Sequence, residues 1–101
     1  MQGIGAALYE EVIHNEEGQL LTVNLVDYLV PTAVESVNVE IVHLQTTALN
    51  TLGGFRGMGE GGTIGAPAAI ANAVSDALSQ HNIKITELPI TPNQLYRLMY
   101  Q

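Results

Sequence analysis

Seven glycines lie between Gly53 and Gly65, and a single carboxylate, Glu60, stands among them. Glycines on both sides allow tight turns and close approach of other groups, so a carboxylate placed there can be brought against a reacting atom. The chemistry open to it is that of a general base. The plainer alternative is a carboxylate that caps the helix beginning at Pro67, or one that stands in solvent on a loop.

Gly57-Met58-Gly59-Glu60-Gly61-Gly62 also matches the G-x-G-x-x-G pattern of dinucleotide sites and precedes a helix. That pattern needs a buried strand directly before it, and Leu52-Gly53-Gly54-Phe55-Arg56 is neither long nor continuously apolar. Glu60 would moreover lie where a pyrophosphate should sit, charge against like charge. A nucleotide-binding protein therefore ranks third among the readings.

The remaining chemistry-bearing residues are dispersed. His14, His43 and His81 fall on different elements without the spacing of metal ligands, so no metal site is assigned to them. Asn72 and Asp76 share a helical face one turn apart and are read as structural. Tyr9, Tyr28, Tyr96 and Tyr100 are read as packing area. Cysteine is absent, which leaves no thiolate ligand, no cysteine nucleophile and no iron–sulfur ligation within the chain.

The elements that must position Glu60 follow from pattern. Ile4, Leu8 and Val12 recur every four residues as one helical stripe, and Gly3 and Gly5 in its first turn offer room for another backbone. Asn15-Glu16-Glu17-Gly18 separates 12–14 from 19–25 as the turn of a β-hairpin would. Pro31 marks a corner. Val37, Val39 and Ile41 alternate with other residues as in a strand, and Ile83, Ile85, Leu88 and Ile90 read as extended. Pro67 suits a first helical residue, with Ile70, Ala73, Val74, Ala77 and Leu78 as the apolar stripe and Asn82 as a left-handed stop. Thr91-Pro92-Asn93-Gln94 carries the marks of a helix start. The expectation is one small α+β domain: a β-hairpin and further strands packed with a helix launched from the glycine loop and with short terminal helices.

The chain has 101 residues, 47% of them hydrophobic and 13% charged, a surplus of apolar surface for a small domain and a sign of a partner. A net charge of −7 with no basic cluster argues against nucleic acid. Nothing at the amino terminus reads as a signal peptide or membrane span, so a cytoplasmic place is the default expectation. The chain opens directly into helix-like sequence, as a fragment or split subunit would.

The run from Leu52 through Gly57-Met58-Gly59-Glu60-Gly61-Gly62-Thr63-Ile64-Gly65-Ala66-Pro67 to Asn72-Ala73-Val74-Ser75-Asp76-Ala77-Leu78 resembles the end of the large subunit of molybdenum hydroxylases, the xanthine dehydrogenase, aldehyde oxidase and carbon monoxide dehydrogenase family. Gln2-Gly3-Ile4-Gly5-Ala6-Ala7-Leu8-Tyr9-Glu10-Glu11 and Asp27-Tyr28-Leu29-Val30-Pro31-Thr32 agree in order and spacing.

This resemblance implies that residues 1–101 are the carboxy-terminal portion of a molybdenum-cofactor-binding domain, as a fragment or split subunit. It implies Glu60 as the catalytic base of an oxidoreductase of the aldehyde, purine or carbon monoxide class. Gln2, Gly3, Arg56, Gly57, Met58 and Gly59 are then contacts to the molybdenum–pterin cofactor. The family commonly has Lys where Arg56 stands, and Arg keeps the charge but not the shape. Implied partners are the rest of the large subunit and the iron–sulfur and flavin subunits or domains. The isolated chain is expected to be inactive and to hold no cofactor tightly. The rival is an association module or decayed remnant that forms a homo-oligomer.

Overall fold

The computed structural model of the chain describes residues 1–100. Helix α1 spans Gln2–Leu8, α2 Gly61–Ile64, α3 Ala66–Ala77 and α4 Pro92–Tyr100, with 3-10 turns at Leu52–Gly54 and Ser79–His81. Pro67 lies in the first turn of α3, where its missing N–H costs nothing, and the chain leaves the following 3-10 turn through Asn82 in the left-handed region at φ 56°. α4 begins where the Thr91 hydroxyl accepts the Gln94 amide at 3.1 Å. The Gln94 side chain does not complete the reciprocal cap; its amide makes a long 3.5 Å contact with the Glu87 carbonyl.

What core there is lies at one corner. α1 packs across α3 and against α2. A Cβ built on the buried Gly3 would come within 2.5 Å of the Ala66 Cβ and 3.0 Å of the Thr63 carbonyl, so only glycine lets the two backbones approach this closely. Among the described residues, Ala7, Ile85 and Ile90 are the buried hydrophobic ones. The Ile90 amide donates to the Ala7 carbonyl at 2.7 Å. The Ile85 amide donates to Ser75 Oγ at 3.0 Å, and that hydroxyl donates to the Ala71 carbonyl of α3 at 2.8 Å. Residues 83–90 are thus laced to the helices by single hydrogen bonds.

The expected α+β fold is overturned. Among the described residues the only β pairing is one antiparallel bridge, His14 to Leu20, with no sheet. The turn between them is local: Asn15 Oδ1 accepts the amides of Glu17 at 3.1 Å and Gln19 at 2.8 Å. Past the bridge the ladder stops because other acceptors intervene. Thr22 Oγ1 takes the Ile13 amide at 3.2 Å, and the Val23 amide turns back to the Leu21 carbonyl at 3.0 Å. The alternating residues 37–42 form no strand, and Val39 and Ile41 stand exposed. Residues 83–90 form none either. Alternation reports which side chains want burial; a strand exists only where a neighbouring backbone accepts its hydrogen bonds.

The accessible area is 8523 Å² and the radius of gyration 17.8 Å. A compact monomer of this mass would expose about 5,500 Å², and its radius of gyration would be about 13 Å. The excess comes from the middle of the chain, where Val34, Leu44, Leu49 and Leu52 are each at least 88% exposed.

Candidate functional site

The glycine-rich segment is built in two parts. Gly53 and Gly54 both take positive φ, 76° and 71°, and a Cβ on Gly54 would collide with Thr47 Cγ2. The Gly54 amide donates to Thr51 O at 2.8 Å, and the Ala48 amide donates to Gly54 O at 3.1 Å, closing residues 47–54 into a small loop. A guanidinium N–H of Arg56 reaches the Thr47 carbonyl at 3.4 Å. Between residues 44–47 and 53–58 lies an open cleft of about 550 Å³ to which Arg56, Gly57 and Met58 contribute.

The second part is the entry to α2. Glu60 flanks the helix at φ −111°, ψ 7°, and its carbonyl accepts the Thr63 amide at 2.9 Å. The Met58 carbonyl accepts the Gly61 amide at 3.3 Å. The Met58 thioether folds over Gly61, at a place a Cβ would claim. Glu60 therefore heads α2 and not the Pro67 helix, and its carboxylate makes no capping hydrogen bond. It stands exposed, held by its backbone. Gly57 and Gly59 face open space, and among the described residues the amides of Gly57, Met58 and Gly59 have no hydrogen-bond acceptor.

Of the residues singled out in the sequence, the fold brings Gly3 against α2 one turn from Glu60, through the Thr63 carbonyl. Arg56, Gly57 and Met58 share the cleft. Gln2 is exposed and lines a different cavity, of about 390 Å³, with Met1, Glu10, Val30 and Pro31. Neither of these two cavities gathers all seven.

A profile of the molybdopterin cofactor-binding domain matches residues 1–37. The nicotine 6-hydroxylase large subunit of Paenarthrobacter nicotinovorans is 44% identical over 97 residues, 96% of this chain. A putative xanthine dehydrogenase molybdenum-binding subunit of Escherichia coli K12 is 36% identical over 95 residues, 93% of this chain. The crystal structure of quinoline 2-oxidoreductase from Pseudomonas putida 86 superposes with a TM-score of 0.91 at 45% identity, over 97% of this chain. The chain belongs to the molybdenum hydroxylase large-subunit family. It spans 12% of the length of each of these three proteins.

Within this molybdenum hydroxylase segment the structure adds a pair that residue spacing does not reveal. Tyr28 Oη donates to Glu10 Oε2 at 2.6 Å across eighteen residues of sequence. The accepting carboxylate holds the phenol proton, and this hydrogen bond is the main cause that raises the hydroxyl above its ordinary pKa of 10.0. Tyr28, read from sequence as packing area, is a hydrogen-bond donor. The one available signal was the polar handle every half-buried tyrosine carries, which needs a partner.

Proposed function

We propose that this segment supplies the catalytic base and one cofactor-contacting wall of a molybdenum-dependent oxidoreductase. The observation that carries the reading is the state of Glu60: an exposed carboxylate without a capping bond, fixed by backbone at the head of α2, beside three amides that have no acceptor among the described residues. The residues fit a polar, pterin-type cofactor, because unpaired backbone N–H groups in a glycine-rich turn suit polar ligand atoms, and Gly57 and Gly59 leave the approach open.

When bound, the molybdenum–pterin group supplies the two-electron redox chemistry. The chain's own part is acid–base and positional. The Glu60 carboxylate takes a proton during substrate oxidation, a contribution worth roughly 10²–10⁴-fold in rate for a placed general base. The amides of Gly57, Met58 and Gly59 hold the cofactor's polar edge, and Gln2 and Gly3 hold it from the side of α1. Arg56 adds one positive charge near that edge in a chain of net charge −7.

The reading makes the isolated chain catalytically silent. It spans 12% of its relatives, and its accessible area exceeds that of a compact monomer by roughly half. Exposed Leu44, Leu49 and Leu52 are then surfaces for the rest of the large subunit. An iron–sulfur group would belong to other domains or subunits, since no cysteine is present to ligate it, and a flavin is placed there with it. No helix among the described residues is long and apolar enough to cross a membrane.

Purified alone, the chain should contain no molybdenum and reduce no dye with aldehydes or purines. Joined to the remainder of a large subunit it should restore both. Molybdenum and turnover in the isolated chain would overturn the proposal, and a stable cofactor-free homodimer that ignores the remainder would favour an association module instead.

A further inference from the structure

Helix α1 cannot hold itself in place. It has seven residues, two of them glycine, and each glycine costs a helix about 1 kcal/mol relative to alanine. A helix this short is unstable without tertiary contacts, so the direction in which Gln2 and Gly3 point depends on what grips α1. On one side the grip is α2 and α3, through Gly3.

On the other side it is Glu10 and its neighbours. The Tyr9 and Glu10 amides both end on the Gly5 carbonyl at 2.9 Å, so the chain turns sharply off α1 and the Glu10 side chain runs back along it. A Cβ on Gly5 would overlap Glu10 Oε1 and lie 2.9 Å from Pro31 Cδ. The other carboxylate oxygen accepts the Tyr28 hydroxyl. Tyr28 is itself held by a preformed turn: Asn24 Oδ1 accepts the Val26 amide at 2.7 Å, and the Asn24 carbonyl accepts the Tyr28 amide at 2.8 Å. Glu10 also shares with Gln2 the wall of the 390 Å³ cavity.

We propose that Glu10 and Tyr28 are positioning residues whose hydrogen bond latches the 24–31 turn onto α1 and thereby holds Gln2 and Gly3 in their cofactor-facing place. This rests on the reading of Gln2 and Gly3 as cofactor contacts. Tyr28→Phe removes the donor and keeps the ring. Glu10→Ala removes the acceptor, whereas Glu10→Gln keeps an acceptor oxygen in the same shape.

The test uses the cofactor-loaded large subunit carrying this sequence, with the rate of molybdenum and pterin loss on incubation as the readout. Outer-layer partners of metal ligands typically matter by about 10–100-fold in metal affinity or activity, and faster loss is the kinetic side of weaker binding. Tyr28→Phe and Glu10→Ala should speed loss by about tenfold, with Glu10→Gln close to the parent. If Tyr28→Phe retains cofactor like the parent, or if Glu10→Gln loses it as fast as Glu10→Ala, the latch is overturned. Gln2→Ala, run in parallel, reports on the contact reading by itself. Full retention in Gln2→Ala sinks that reading, while the latch stands or falls on the comparison of Tyr28→Phe with Glu10→Gln.

Discussion

The corner formed by α1, α2 and α3 and the stretch 34–58 are both poor in charge, yet they use small and apolar residues in opposite ways. At the corner, Gly3, Gly5 and Ala7 are buried because backbones touch there, and very little side chain is needed. In the stretch, Val34, Leu44, Leu49 and Leu52 are large, aliphatic and almost wholly in solvent. Large apolar side chains left in water gain nothing until something covers them. The contrast teaches that this segment carries its own geometry at the corner and leaves its middle without a core of its own, which is what the proposed place within a larger subunit would cover. Glu60 lies at the junction, between the cleft of residues 44–58 and the first turn of α2.

Hydrogen exchange would separate the two regions most widely. Amides of α3 such as Val74 and Leu78 should be protected, whereas residues 34–46 of the isolated chain should exchange with protection factors of about one. Addition of the rest of the large subunit should protect both. Equal protection of the two regions in the isolated chain would erase the comparison.

Next in size is the truncation Ile90→Ala. Ile90 is 4% exposed and its amide is tied to Ala7, so the loss should be about 2–5 kcal/mol in denaturant unfolding. Gly3→Ala tests the backbone approach itself. The added methyl meets the Ala66 Cβ, and overpacking of this kind costs about 1–3 kcal/mol. A neutral result would mean that α1 does not sit where it is described. The smallest effect belongs to Leu49→Ser, 96% exposed, which should stay within about 0.5 kcal/mol in the isolated chain. If the rest of the large subunit covers this leucine, as proposed, the same substitution should cost more in the assembled subunit.

How far the sequence could be read divides along the same line. Helices α3 and α4 were legible from Pro67, Asn82 and Thr91, because caps and prolines act locally and need no distant partner. The close approach at Gly3 was hinted at by small residues in a weak helix. The strands were misread because Val37, Val39 and Ile41 show the alternation of a half-buried strand, while the neighbour that would make it one is not among the described residues. The hairpin failed for a more local reason, since Thr22 Oγ1 competes for the Ile13 amide. Glu60 stood out through its glycine neighbours, and family likeness gave it a role. The Glu10–Tyr28 pair was invisible, because eighteen residues of separation follow no helical or strand period.

The central claim is that Glu60 does chemistry and not merely local structure. It is tested most directly by Glu60→Gln in a cofactor-loaded large subunit, with turnover measured per molybdenum and cofactor content assayed on the same sample. The substitution keeps size and hydrogen-bonding capacity but removes the base. Glu60 makes no capping bond whose loss could unfold α2. The account predicts turnover reduced by about 10²–10⁴-fold at unchanged molybdenum and pterin content. Turnover close to the parent at full cofactor content would contradict it.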